Sequence, residues 1–184
     1  AVDLGASTGG FTDCLLQRGA EAVVAVDVGY GQLHERLRED PRVDVRERTN
    51  ARSLRSGDLG PRAGIVVGDL SFISLRKIVP VAVDLVVDAG DMVFLVKPQF
   101  EAGRQEAARG RGVITDPAVW HRVLAEVASA LEEAGSAIMG AMVSPLTGAD
   151  GNVEFLLHAR SGAAPGPDRA GLLDRALAEA EDRS

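Results

Sequence analysis

Three charged residues stand at the ends of apolar runs, where a folded chain places them only for a reason. Asp69 follows Ile65–Gly68, Lys97 closes Met92–Val96, and Glu154 sits between Val153 and Phe155 in a run that otherwise reads as buried. Lysine is rarely buried without a partner, so Lys97 calls for a carboxylate nearby. An Asp, a Lys and a Glu drawn from three strand ends can remove the proton of a weakly acidic hydroxyl, with the lysine as general base and the carboxylates orienting it. Such a set needs no metal. His34, His121, His158 and the lone Cys14 show no ligand spacing. Each residue also has a plainer use. Asp69 can cap a helix, Lys97 can carry its ammonium to the surface along its stem, and Glu154 fits a surface position in strand alternation.

A second constellation lies at Asp3-Leu4-Gly5-Ala6-Ser7-Thr8-Gly9-Gly10-Phe11. A strand, a glycine-rich turn and a helix start let a ligand approach the backbone and meet unpaired N–H groups. Spacing sorts the ligands. A phosphate loop needs a lysine where Phe11 stands, and a dinucleotide loop needs a glycine where Ser7 stands. Asp-x-Gly-x-x-x-Gly-Gly instead suits the amino-acid end of S-adenosylmethionine, with Asp3, Gly5, Ala6, Ser7, Gly9, Gly10 and Phe11 around it. Asp27, about 20 residues beyond Gly5 at the end of the next strand, is placed to hold a ribose diol, with Val28 beside it. Asn50, after the third strand, could pair with an adenine edge, or simply form an Asx cap. Asp69 serves this crevice too. Leu70-Ser71 stand where amine methyltransferases carry two prolines, which argues against methylation of a base amine.

Positioning these groups requires strand ends gathered at one edge. Apolar runs at Ala1–Leu4, Ala22–Val26, Val43–Arg46, Ile65–Gly68, Met92–Val96, Ala137–Val143 and Val153–His158 read as strands. Helical spacing fills Gly10–Arg18, Gln32–Arg38, Leu75–Asp88 and Pro117–Glu133. The alternation predicts an α/β, doubly wound sheet, which resembles the Rossmann-like arrangement of class I methyltransferases. It has seven strands, mostly parallel, with an antiparallel last strand, because only the turn Ser144–Asn152 separates the final two. Gln99–Pro117 reads as a long polar loop bearing Arg104, Arg109 and Arg111, and loops of that length are often functional. Residues 1–160 form the expected catalytic domain, and 161–184 a linker and a C-terminal helix near Arg169–Glu181. Trp120 reads as core and Cys14 as a small buried apolar residue.

Bulk properties set limits. With 184 residues, 46% hydrophobic and 26% charged, the chain can bury one substantial core. There is no secretory pattern and no apolar run of the roughly 18 residues a span needs, so a cytoplasmic protein that avoids membranes is expected. The net charge of −7 is unusual for a protein that grips nucleic acid alone.

The blocks at 3–13, 26–33, 48–52, 69–75, 96–101 and 151–155, taken in order, resemble the FtsJ-like ribose 2′-O-methyltransferases, and within them the TlyA (hemolysin A) branch. The resemblance covers Ala1 to about Arg160. It implies methyl transfer from S-adenosylmethionine to a ribose 2′-hydroxyl of ribosomal RNA, with a cytidine as target. The family's catalytic set is Lys-Asp-Lys-Glu; Asp69, Lys97 and Glu154 match its last three members. The first lysine, and a small RNA-binding domain, lie upstream of the cofactor loop in the family. The chain therefore reads as part of a longer protein whose missing module supplies the basic surface. Arg104, Arg109 and Arg111 are the remaining candidates for RNA phosphate contacts, against the alternative of a solvated loop. Two other functions remain as alternatives: a cofactor-binding, RNA-associated module without turnover, and a membrane-active hemolysin, which no basic amphipathic helix supports.

Overall fold

Short runs rich in Val and Ala, each broken by turn residues, build the sheet. The computed structural model describes residues 1–103, 106, 110–164, 166 and 168–183. Among these, seven strands form one sheet: β1 Val2–Leu4, β2 Val23–Val26, β3 Val43–Arg46, β4 Ala63–Gly68, β5 Val86–Val96, β6 Ser136–Val143 and β7 Phe155–Ser161. Their order is β3-β2-β1-β4-β5-β7-β6. The pairs β1–β2, β1–β4, β2–β3 and β4–β5 are parallel, whereas β7 runs antiparallel to both β5 and β6. The antiparallel strand is last in sequence yet lies inside the sheet, so β6 and not β7 forms that edge.

The helices are α1 Gly10–Gln17, α2 Glu35–Arg38, α3 Val79–Leu85, α4 Pro98–Glu101, α5 Pro117–Glu133 and α6 Arg169–Glu181. Alternation along β2 splits the core between two faces. Val23 and Ala25 pack with Leu16, Leu33 and Leu37 under α1 and α2. Val26, Phe94, Met92 and Phe155 join α3, α5 and α6 on the other face. On α5, Trp120, Val123, Leu124, Val127 and Leu131 recur at helical spacing and are all buried. Asp116 caps this helix by accepting from Ala118 N at 2.9 Å. Leu173, Ala176, Leu177 and Ala180 of α6 belong to the same core.

Three expectations need correcting. The helix anticipated at Leu75–Asp88 is a 3₁₀ turn, Leu75–Lys77, followed by α3, which gives way at Val86 to the pairing of Val86 with Ala63. The loop anticipated from Gln99 opens instead with the short helix α4, which Pro98 begins. Cys14 is exposed, because Thr12 and Leu16 take the buried face of α1 one turn apart.

Candidate functional site

Register brings the charged residues together. Leu4 pairs with Gly68 and Gly68 with Phe94, so the carboxyl ends of β1, β4 and β5 share one edge. Because β7 is antiparallel, its first residue, Phe155, pairs with the last of β5, Val96. Lys97 and Glu154 are therefore the next residues out from a paired couple, and Asp69 follows Gly68 at the same edge.

Lys97 Nζ lies 2.5 Å from Asp69 Oδ1, with only 12% of the lysine side chain exposed. The pair is an ion pair by distance, while its angles fall outside hydrogen-bond geometry and leave Oδ1 without a bonded donor. Nζ also donates to Ser71 Oγ at 3.2 Å. Glu154 is buried and makes no ion pair with Lys97. Its Oε1 accepts from Gln99 Nε2 at 3.0 Å. Burial pushes the Glu154 carboxyl up from its ordinary value; Gln99 and the positive charge of Lys97 oppose this, and the charge of Asp69 adds to it. Gly148 packs against this carboxylate, where a Cβ would stand 2.2 Å from Glu154 Oε1 and push the side chain aside.

The glycine-rich turn is fixed from two sides. Gly5 N and Ala6 N both donate to Val26 O, at 2.8 and 3.0 Å. At Gly5 φ is +85° and a Cβ would meet Asp69 O at 2.4 Å, so only glycine fits between this loop and Asp69. Asp27 Oδ2 accepts from Ser7 N at 2.8 Å and Oδ1 from Gly29 N at 2.7 Å. A crevice of about 430 Å³ opens here and gathers Gly5, Ser7, Asp27, Val28, Asn50 and Asp69, with Ile73 and Ile78 as apolar wall. Asn50 forms the Asx cap, its Oδ1 accepting from Arg52 N at 3.0 Å, while still facing the crevice.

The other residues expected at the cofactor do not line this crevice. Asp3 lies beneath the loop, 1% exposed, accepting from Thr12 Oγ1 at 2.7 Å. Burial raises its pKa to about 6, partly countered by Thr12. Ala6 is buried in the core under α1. Gly9, at φ +105°, packs against Leu37, and Gly9 and Gly10 face a separate cavity between α1 and α2. Phe11 sits one residue into α1, where the chain has already turned away. Arg104 and Arg109 lie outside the described residues. Arg111 is exposed, with φ +54°.

Sequence reasoning missed several residues of this site. Glu101, 5% exposed, accepts from Ser74 Oγ and Leu75 N, both at 2.5 Å, and so ties the loop after Asp69 to α4. Phe72 is 91% exposed at φ +63° and stacks, tilted, on Phe100 at 4.9 Å. The Arg48 guanidinium lies 4.3 Å above the exposed Tyr30 ring. Gln99 and Glu101 lie within the block 96–101 that already stood out, but no periodicity marks them.

The FtsJ-like methyltransferase family model matches residues 1–161. The 16S/23S rRNA (cytidine-2′-O)-methyltransferase TlyA of Mycobacterium tuberculosis is 51% identical over 160 residues, which are 87% of this chain and 59% of that protein. The chain thus spans less than two thirds of that relative's length. A solved structure from Streptococcus thermophilus carrying a hemolysin label is 39% identical, with a TM-score of 0.91 over 98% of this chain and 66% of that one. An S-adenosylmethionine-dependent methyltransferase from Mesorhizobium loti is 17% identical, with a TM-score of 0.63 over 86% of this chain and 89% of that one. At that identity the likeness speaks to the fold, which is the Rossmann-like methyltransferase arrangement expected from the sequence.

Proposed function

Because the chain belongs to the FtsJ-like methyltransferase family, we propose that it transfers a methyl group from S-adenosylmethionine to a ribose 2′-hydroxyl of ribosomal RNA, at a cytidine. The observation that carries this reading is the Lys97–Asp69 pair, 2.5 Å apart, whose aspartate lines the same crevice as Asp27. The substrate follows the printed name of the relative with 51% identity.

The crevice suits the cofactor on its own geometry. Gly5 leaves open the space that a Cβ would fill, and the Asp27 carboxylate retains acceptor capacity beyond its two backbone donors. Asp27 and Val28 would hold the ribose, Asn50 the adenine edge, and Gly5 and Ser7 the amino-acid end. When bound, the cofactor supplies an electrophilic methyl group.

This chain's residues manage the proton. Lys97 Nζ, having released one proton to solvent, accepts that of the 2′-hydroxyl. Asp69 and Ser71 hold Nζ in place. Glu154, fixed by Gln99, keeps negative charge facing the ammonium that results. Arg111 and the exposed rings of Phe72 and Tyr30 offer the RNA phosphate and stacking contacts. An additional RNA-binding domain in the longer polypeptide would supply the basic surface that a net charge of −7 lacks. A ribosomal substrate sets the work in the cytoplasm. As to the hemolysin label, no helix among the described residues is long and apolar enough to cross a membrane.

The test is incubation of the full-length protein with ribosomal subunits and methyl-labelled S-adenosylmethionine, followed by mass mapping of the RNA. Label on a cytidine 2′-oxygen is expected. Label on a base, or none, overturns the reading.

A further inference from the structure

Asn152 has no part in the chemistry above, yet its side chain is 3% exposed and committed to one short stretch of backbone. Its Oδ1 accepts from Ile114 N at 3.0 Å and its Nδ2 donates to Gly112 O at 2.9 Å. An adjacent strand would satisfy the same two backbone groups; here a single amide does so. Trp120 Nε1 holds the far side by donating to Ile114 O at 2.9 Å.

The stretch so held is a tight turn. Val113 N donates to Gly110 O at 2.9 Å, and the two central residues, Arg111 and Gly112, have φ of +54° and +91°. Both being left-handed is the mark of a type I′ turn, a conformation that arginine adopts only when its surroundings impose it. Gly110 accepts no side chain, since a Cβ there would lie 1.9 Å from Val113 O. Arg111, at the tip, is exposed.

The other end of the clamp belongs to the site. Asn152 precedes Glu154 by two residues, and Asn152 O and Glu154 O accept from Gly148 N and Ser144 N, both at 2.8 Å. One short segment therefore carries both the Glu154 carboxylate and the amide that holds the turn presenting Arg111.

We propose that Asn152 is a positioning residue for the RNA: it locks the turn 110–113 so that Arg111 meets a substrate phosphate at a set distance from Glu154. The proposal rests on the ribosomal-RNA reading above. Its sequence signal is an asparagine in the Gly-Asn-Val-Glu-Phe block whose amide both donates and accepts, which no aliphatic residue can replace.

The experiment compares the full chain as wild type, N152D, N152A, R111A and the double variant N152A/R111A. Affinity for purified ribosomal subunits is measured against salt, together with KM, kcat and S-adenosylmethionine affinity. Asn152→Asp keeps an acceptor for Ile114 N while setting a charged oxygen against Gly112 O in place of the donor, and it serves where Asn152→Ala does not fold. Each single variant is expected to weaken subunit binding about tenfold and to lower the salt slope by about one ion. S-adenosylmethionine affinity should be unchanged in all of them, and in the Asn152 variants the loss should fall on KM for the subunits rather than on kcat. The double variant should be no worse than the weaker single one, because both remove the same contact. Additive losses, or an unchanged salt slope in R111A, overturn the proposal. So does a fall in kcat at constant KM in the Asn152 variants, which would mean that they act through Glu154. If the wild type binds subunits without methylating them, the functional reading fails while the salt slopes and the double variant still decide the role of Asn152. If the wild type does not bind, both fail.

Discussion

Gln99 Nε2 donates to Glu154 Oε1 at 3.0 Å, and this bond, not an ion pair with Lys97, fixes the buried carboxylate. The lysine is left to Asp69. Gln99 thus opposes, without cancelling, the burial that pushes this carboxyl above its ordinary value.

Removing the donor should therefore move the acid limb of the reaction. Gln99→Leu leaves burial unopposed by that bond, so the Glu154 pKa rises further and activity that needs the carboxylate sets in at higher pH. A pH–rate profile is expected to shift its acid limb upward in Q99L. An unmoved limb would show that the protonation state of Glu154 does not enter the rate.

Lys97→Ala should remove the base while leaving the cofactor crevice, which Lys97 does not line, intact. A fall in kcat of about 10²–10⁴-fold is expected, with S-adenosylmethionine affinity by calorimetry unchanged. Lys97→Arg should not rescue, because a guanidinium does not give up its proton.

Asp27→Asn tests the other end of the crevice. Asp27 accepts from Ser7 N and Gly29 N, and an amide in its place turns one N–H toward another. Cofactor affinity should drop on the order of 10–100-fold, the range for charge-assisted hydrogen bonds. At saturating cofactor kcat should recover; a kcat that stays low would assign Asp27 to the chemical step.

Asp3 gives a signature in stability. Its pKa is raised by burial from 3.8 to about 6, so the folded state holds this proton more tightly than the unfolded one. The resulting stabilisation is full below the unfolded value and is lost as pH rises through about 6. Above that window, ionised Asp3 costs on the order of 3 kcal/mol. Asp3→Asn should flatten this component and exceed the wild type in urea stability at pH 7. Equal slopes for both proteins between pH 4 and 6 would refute it.

Much of this site is written in the order of residues, because strand ends in a parallel sheet share an edge. Asp69 and Lys97 are legible as charges closing apolar runs, and register turns that position into a 2.5 Å contact. Glu154 is harder, since it precedes its strand, and only the antiparallel sense of β7 carries it to the same edge. The partner of Glu154 was not legible at all: the choice between Lys97 and Gln99 depends on side-chain direction at the start of α4. Gly9, Gly10 and Phe11 lie off the crevice for a related reason. The spacing of a glycine-rich loop reveals that the backbone turns sharply, but not which glycines face the ligand and which face Leu37.

The placement of β7 between β5 and β6 also orders events in time. β5 has no strand beside it on that side until the chain has passed Phe155, and β6 joins the sheet only through β7. The loop at Gly5 and the acid at Asp27 draw on strands that are neighbours in sequence. Glu154 and Asn152 arrive only with the last strand, by contacts of long sequence separation that form slowly. A chain made only as far as α3 would thus hold the residues of the crevice before it holds Glu154 and Asn152.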